Sequence, residues 1–91
     1  MYRLSQEAKS DLLSIARYGD ARFGVKQSDR YRDLLKQRFE QIAESPFMYQ
    51  KVEYIKKGLR RSVCGVHSIY YYVEDDGIYI VRVLRSQEFN S

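Results

Sequence analysis

The hydrophobic positions of this chain change period near its middle. In the first half they recur at helical spacing: Ala8, Leu12, Ile15 and Ala16 stand at i, i+4, i+7 and i+8. Ser5, just ahead of them, suits a helix N-cap, because its hydroxyl can accept a first-turn N–H, and Glu7 complements the positive end of the helix dipole. Gly19 weakens the last turn and Phe23-Gly24 closes the segment. A second helix is expected from Val25 to Glu44, with Tyr31, Leu35, Phe39 and Ile42 on one face and charged residues over much of the remainder. Ser45-Pro46 ends it, since a residue before proline is pushed out of the α region. A short glycine-containing link between two such helices predicts an antiparallel hairpin.

The second half reads at the period of strands. Leu59 to Cys64, Val66 to Glu74 and Ile78 to Arg85 are rich in β-branched and aromatic residues, and Tyr2-Arg3-Leu4 can form a short opening strand. Asp75-Asp76-Gly77 between the last two runs is a hairpin signal, with φ > 0 expected at both turn positions. In the central run Ile69, Tyr71 and Val73 face one side, and Tyr70 and Tyr72 the other. The order is β-α-α-β-β-β: an α+β fold in which a helical hairpin packs on a small antiparallel sheet. Residues 45–57 form a long loop from helix to sheet. One helical layer is expected to leave apolar and tyrosine surface on the far side of the sheet for a partner.

Length bounds this picture: 91 residues make one domain with a modest core, here residues 1–91. No apolar run is long enough to span a membrane, and the N-terminus lacks the apolar stretch of a secretory leader. A single Cys excludes an internal disulfide, and one His beside one Cys argues against a zinc site, so no metal and no cofactor are expected, in a reducing, cytoplasmic setting. The net charge is +4, shared evenly between the halves, with one dense run, Lys56-Lys57-Gly58-Leu59-Arg60-Arg61.

Little in the chain suits acid–base or nucleophilic chemistry. His67 sits inside the clearest strand, where a packed or hydrogen-bonded role outweighs a catalytic one. Cys64 reads as a small buried residue, although a nearby Arg61 could lower its pKa. Glu74, Asp75 and Asp76 belong to a turn, and the glycines form no phosphate cradle. The cations remain: Lys56, Lys57, Arg60 and Arg61 at one strand, Arg82 and Arg85 on another. Strand alternation places Arg60 and Arg61 on opposite faces, and likewise Arg82 and Arg85. Such a set could bind phosphates, meet an acidic protein surface, or stabilise a phosphorane-like transition state; a solvated surface is the plainer alternative for any single arginine.

Taken in order, these residues resemble the ParE toxins of the RelE/ParE superfamily. Tyr2-Arg3-Leu4-Ser5-Gln6-Glu7-Ala8 with Asp11-Leu12 is similar to the family's opening strand and helix, and Phe23-Gly24 and Tyr31 to its link and second helix. Gly58-Leu59-Arg60 resembles its "GLR" segment. Gly65, His67, Ile69 and Tyr71 resemble its G-x-H-x-I-x-Y strand, and Asp76-Gly77 with Ile80-Val81-Arg82-Val83-Leu84 its final hairpin. Two departures are Arg85, where many relatives carry His, and Gly19 inside the first helix.

The resemblance implies a type II toxin, acting in plasmid stabilisation and growth arrest, that inhibits DNA gyrase by binding, without catalysis. It implies neutralisation by a ParD-type antitoxin that joins a ribbon-helix-helix DNA-binding domain to a wrapping tail. DNA would be met only through antitoxin or gyrase; a homodimer and a hetero-oligomer with antitoxin are both open. The alternative is a ribosome-dependent messenger-RNA endoribonuclease of RelE type, which often uses a C-terminal Tyr; here Phe89 stands in the tail. Arg60, Arg61, Arg82, Arg85, Gln87, Glu88 and Phe89 are the candidate contacts to gyrase. Leu12, Ile15, Tyr31, Leu35 and Phe39, flanked by Arg17 and Arg38, are candidates for an antitoxin groove, with core positions as the alternative for those same apolar residues.

Overall fold

The computed structural model describes residues 1–86, so Gln87, Glu88 and Phe89 lie outside the described residues. Its elements are β1 (Tyr2–Leu4), α1 (Gln6–Phe23), α2 (Val25–Glu44), β2 (Gln50–Lys51), β3 (Arg60–Cys64), β4 (His67–Glu74) and β5 (Gly77–Arg85). Both helices run as their apolar spacing predicts. Ser5 caps α1 and ties it to β5: its Oγ accepts the Ala8 N–H at 2.9 Å and donates to the Val81 carbonyl at 2.7 Å. Gly24 joins the helices at φ 85°, a left-handed geometry that costs a residue with a Cβ. Gly19 does not interrupt α1. It lies at the contact with α2, where an added Cβ would sit 2.5 Å from the Ser28 hydroxyl.

The sheet has the order β1-β5-β4-β3-β2. It departs from the expected sheet in two ways. First, β1 runs parallel to β5, pairing Tyr2–Leu4 with Ile78–Ile80, so the sheet is mixed. A strand followed directly by a helical hairpin returns to the sheet edge without a tight turn, and nothing then forces an antiparallel pairing. Second, the loop after α2 contributes β2, which pairs Gln50 with Arg61 and Lys51 with Arg60.

The β4–β5 hairpin also differs in detail from its sequence signal. Asp75 and Asp76 form the turn, yet glycines are the only described residues with positive φ, so the turn is not of the mirrored type. Gly77 has φ 151°, and a Cβ there would collide with the Met1 carbonyl. That carbonyl accepts the Ile78 N–H at 3.1 Å, so the glycine admits β1 to the sheet. Farther along, the register jumps from Tyr70↔Arg82 to Tyr71↔Ile80, which leaves Val81 as a bulge. Alternation along β5 changes phase there: Ile78, Ile80 and Val83 all join the helix-facing core, and Val81 and Leu84 the other side. Arg82 and Arg85 both follow the bulge, so their expected alternation is kept, with Arg82 opposite Tyr70 and Arg85 opposite His67.

The helix-facing core holds Leu35, Phe39 and Ile42 of α2 against Ile69, Tyr71, Ile80 and their neighbours. Burying each such side chain stabilises the fold by about 1.5–3 kcal/mol. The division of β4 matches the sequence reading, with Ile69, Tyr71 and Val73 toward the helices and Tyr70 and Tyr72 away. The far side is less bare than expected. Val52, Leu59, Tyr70 and Leu84 form a second small core, with Ile55 against it, so residues 52–59 of the long loop supply the cover.

Candidate binding surfaces

The residues with chemical potential are taken up by the fold. His67 begins β4, opposite Cys64 on one side and Arg85 on the other, and is 7% exposed. Its Nδ1 lies 2.7 Å from the Tyr31 hydroxyl. That hydroxyl also accepts the Val66 N–H at 3.2 Å and can donate to the Cys64 carbonyl at 3.2 Å. One phenol thus ties α2 to both sides of the β3–β4 turn. Burial pushes the Tyr31 pKa up. Gly65 in that turn has φ 61°, and a Cβ there would strike the Tyr31 ring at 2.7 Å.

Cys64 is buried, and burial pushes its thiol pKa up; the cation that partly offsets this is Arg38, not Arg61. The thiol is a packing group with a weak contact to the Leu34 carbonyl at 4.0 Å. Tyr71, deeply buried, donates to the Pro46 carbonyl at 2.6 Å, and burial pushes its pKa up to about 12.

The candidate cations divide by what they hold. Arg82 forms a two-pronged pair with Asp11 of α1, at 2.8 and 3.0 Å. The same carboxylate accepts the Val83 N–H at 2.9 Å, so Asp11 closes the stretch of β5 that β1 is too short to cover. Arg60 donates to the Tyr49 carbonyl at 2.7 Å and the Phe47 carbonyl at 3.3 Å, with its guanidinium 5.1 Å from the Phe47 ring centre. Arg61 reaches Gln50 at 3.3 Å. Arg38 fastens α2 to β3, donating to Ser62 Oγ at 2.9 Å and the Val63 carbonyl at 2.7 Å. Arg17 is exposed on α1, and Arg85 is exposed at the end of β5.

The apolar groove candidates take the core alternative. Leu35 and Phe39 are 0% and 1% exposed and face the sheet, so neither can line an open groove. Leu12, Ile15 and Tyr31 are half-buried against the same core. The apolar side chains that α1 and α2 do expose include Leu13, Tyr18 and Leu34. Sequence reading missed these because a lone apolar residue on a polar helix face breaks no pattern. It also missed Asp11, whose partner is 71 residues away. Among the described residues no helix is long and apolar enough to cross a membrane.

Comparison with known proteins fits this architecture. The family model for the ParE toxin of the type II toxin–antitoxin system parDE matches residues 2–88. The chain belongs to the ParE toxin family. It is 42% identical over 83 residues to Toxin ParE1 of Caulobacter vibrioides, covering 91% of this chain and 85% of that one. It is 31% identical over 87 residues to Toxin ParE1 of Mycobacterium tuberculosis strain H37Rv, covering 94% and 89%. Among solved structures, one titled as the chromosomal ParDE system from P. aeruginosa superimposes with a TM-score of 0.80 over 92% of both chains. Its sequence identity is 15%, so that likeness speaks for the fold alone. As a ParE toxin, the chain is the toxic half of a type II toxin–antitoxin pair.

Proposed function

We propose that this ParE toxin inhibits DNA gyrase by binding it, without catalysis, and is neutralised in the cytoplasm by a ParD-type antitoxin. Residues 1–91 would act as one domain. The observation that carries the non-catalytic reading is the engagement of the reactive groups: His67 with Tyr31, the buried Cys64, and Arg82 with Asp11. A nuclease set built from Arg60 and Arg82 would have to break the contacts that hold the loop before β2 and the edge of β5. Among the candidate contacts to gyrase, Arg85 is exposed at the end of β5 and stands two positions before Gln87, Glu88 and Phe89 in the sequence.

The antitoxin would lie on the outer surface of the helical hairpin. Exposed Leu13, Tyr18 and Leu34 offer it apolar contacts, with Arg17 beside them for acidic positions. The test is a supercoiling assay with purified gyrase, paired with a translation assay that follows ribosome-bound messenger RNA. Loss of supercoiling with intact message, reversed by the antitoxin, is the expected result. Full supercoiling at excess toxin would overturn the gyrase reading, and cut message would install the ribonuclease instead.

A further inference from the structure

The net charge of this chain has an address. Of 16 basic and 12 acidic residues, the segment 47–61 holds five basic (Lys51, Lys56, Lys57, Arg60, Arg61) and one acidic (Glu53), leaving eleven of each sign elsewhere. These fifteen residues alone carry +4, while residues 1–46 at +2 and residues 62–91 at −2 cancel, and the segment folds as one corner of the molecule around β2 and the start of β3. The corner is compact. Val52 donates to the Leu59 carbonyl at 2.8 Å and closes the loop at its neck, and Leu59 donates to the Lys56 carbonyl at 3.1 Å. Val52, Leu59 and Ile55 anchor it on the sheet.

Its charges are uncompensated. The ion pairs among the described residues join Arg3 to Glu74, Arg32 to Asp20 and Asp29, and Arg82 to Asp11; none involves this corner. Glu53 spends one carboxylate oxygen on the Gly58 N–H at 3.1 Å. Lys51, Lys56 and Lys57 are exposed. Beside them stand the rings of Phe47 and Tyr54, 68% and 76% exposed. A cation ridge carrying exposed rings, with Glu53 as its single carboxylate, matches a nucleic-acid strand better than a mixed-charge protein surface.

We propose that the β2–β3 corner binds the phosphodiester backbone of a nucleic-acid strand, with Lys51, Lys56, Lys57 and Arg61 meeting phosphates and Tyr54 stacking on a base. This surface requires no chemistry, and it stands whether or not gyrase is the target.

Fluorescence anisotropy of the full chain with short labelled single strands of DNA and of RNA tests it. Binding should weaken as salt rises, with a slope of about −0.7 per phosphate met. Lys51→Ala/Lys56→Ala/Lys57→Ala should lower affinity at least tenfold at low salt and flatten that slope by about two. Tyr54→Ala should weaken binding about fivefold or more and leave the slope unchanged. Lys9→Ala/Lys26→Ala/Lys36→Ala, which removes equal charge from the helices, should leave affinity unchanged. Circular dichroism checks that each variant is folded. A preference for DNA or for RNA supports the proposal equally and identifies the strand. Absence of binding at low salt would overturn it, as would equal weakening by the helix triple. A corner triple that lost poly-glutamate binding but kept oligonucleotide binding would also overturn it, in favour of an acidic protein partner.

Discussion

At the scale of single residues, the positions through which this chain resembles its family are mostly ones that hold the fold together. Gly65 is required twice, by its positive φ and by the Tyr31 ring that occupies the place of a Cβ. His67 and Tyr31 are partners across 36 positions of sequence. Gly58 has φ 82°, Leu59 fills the far-side core, and Arg60 clasps the carbonyls before β2, so each letter of the Gly-Leu-Arg run has a separate mechanical task. Tyr31→Phe removes the acceptor for the Val66 N–H and the partner of His67. We expect it to lower stability by about 1–3 kcal/mol in urea unfolding, with helix content unchanged. Gly19→Ala poses two opposing effects. Alanine favours a helix by about 1 kcal/mol over glycine, but the new Cβ would overpack Ser28 at a cost of about 1–3 kcal/mol. The second effect should win, so the variant should melt lower, and adding Ser28→Gly should restore part of the loss.

At the scale of elements, the helices and four of the five strands were legible in the sequence because their signals are local. Apolar spacing set α1 and α2, and the Ser45-Pro46 stop placed the end of α2. What escaped was whatever depends on distant pieces of chain. The parallel pairing of β1 depends on Gly77 admitting the Met1 carbonyl, and β2 exists only because β3 offers it an edge. The bulge at Val81 leaves no mark in an apolar run such as Ile80-Val81, yet it shifts the phase of every later residue of β5. The same holds for the candidate site: the cation run was visible, but the paired state of Arg82 and the exposure of Leu13 were not. Ser5 and Asp11 show how α1 compensates for a short β1, by satisfying the Val81 carbonyl and the Val83 N–H. Asp11→Ala strands that N–H and removes the two-pronged partner of Arg82, and should cost about 2 kcal/mol. A double-mutant cycle with Arg82→Ala should then show the two positions coupled, since they share one carboxylate.

At the scale of the whole molecule, stability should carry an alkaline limit. The Tyr71 pKa is near 12 in the fold against an ordinary 10.0, so between these values the folded chain holds a proton that the unfolded chain has released. Stability is therefore full below about pH 10 and falls as pH rises toward 12, and Tyr31 and Cys64, also raised by burial, act in the same direction. Tyr71→Phe should start lower, having lost the bond to the Pro46 carbonyl, but should lose less between about pH 9 and about pH 11 in urea titrations. The molecule also concentrates its charge: residues outside the β2–β3 corner sum to zero, while that corner carries +4.

The parallel pairing of β1 with β5 has a practical reading for anyone attaching a reporter. Met1 sits by the Asp75–Asp76 turn, where β5 begins, and Arg85 ends that strand about 26 Å away at the usual strand rise. A fluorescent protein fused ahead of Met1 would leave the molecule at the end of the sheet opposite to Arg85. An attachment ahead of Met1 therefore suits imaging or immobilising this toxin with the Arg85 end of β5 unobstructed.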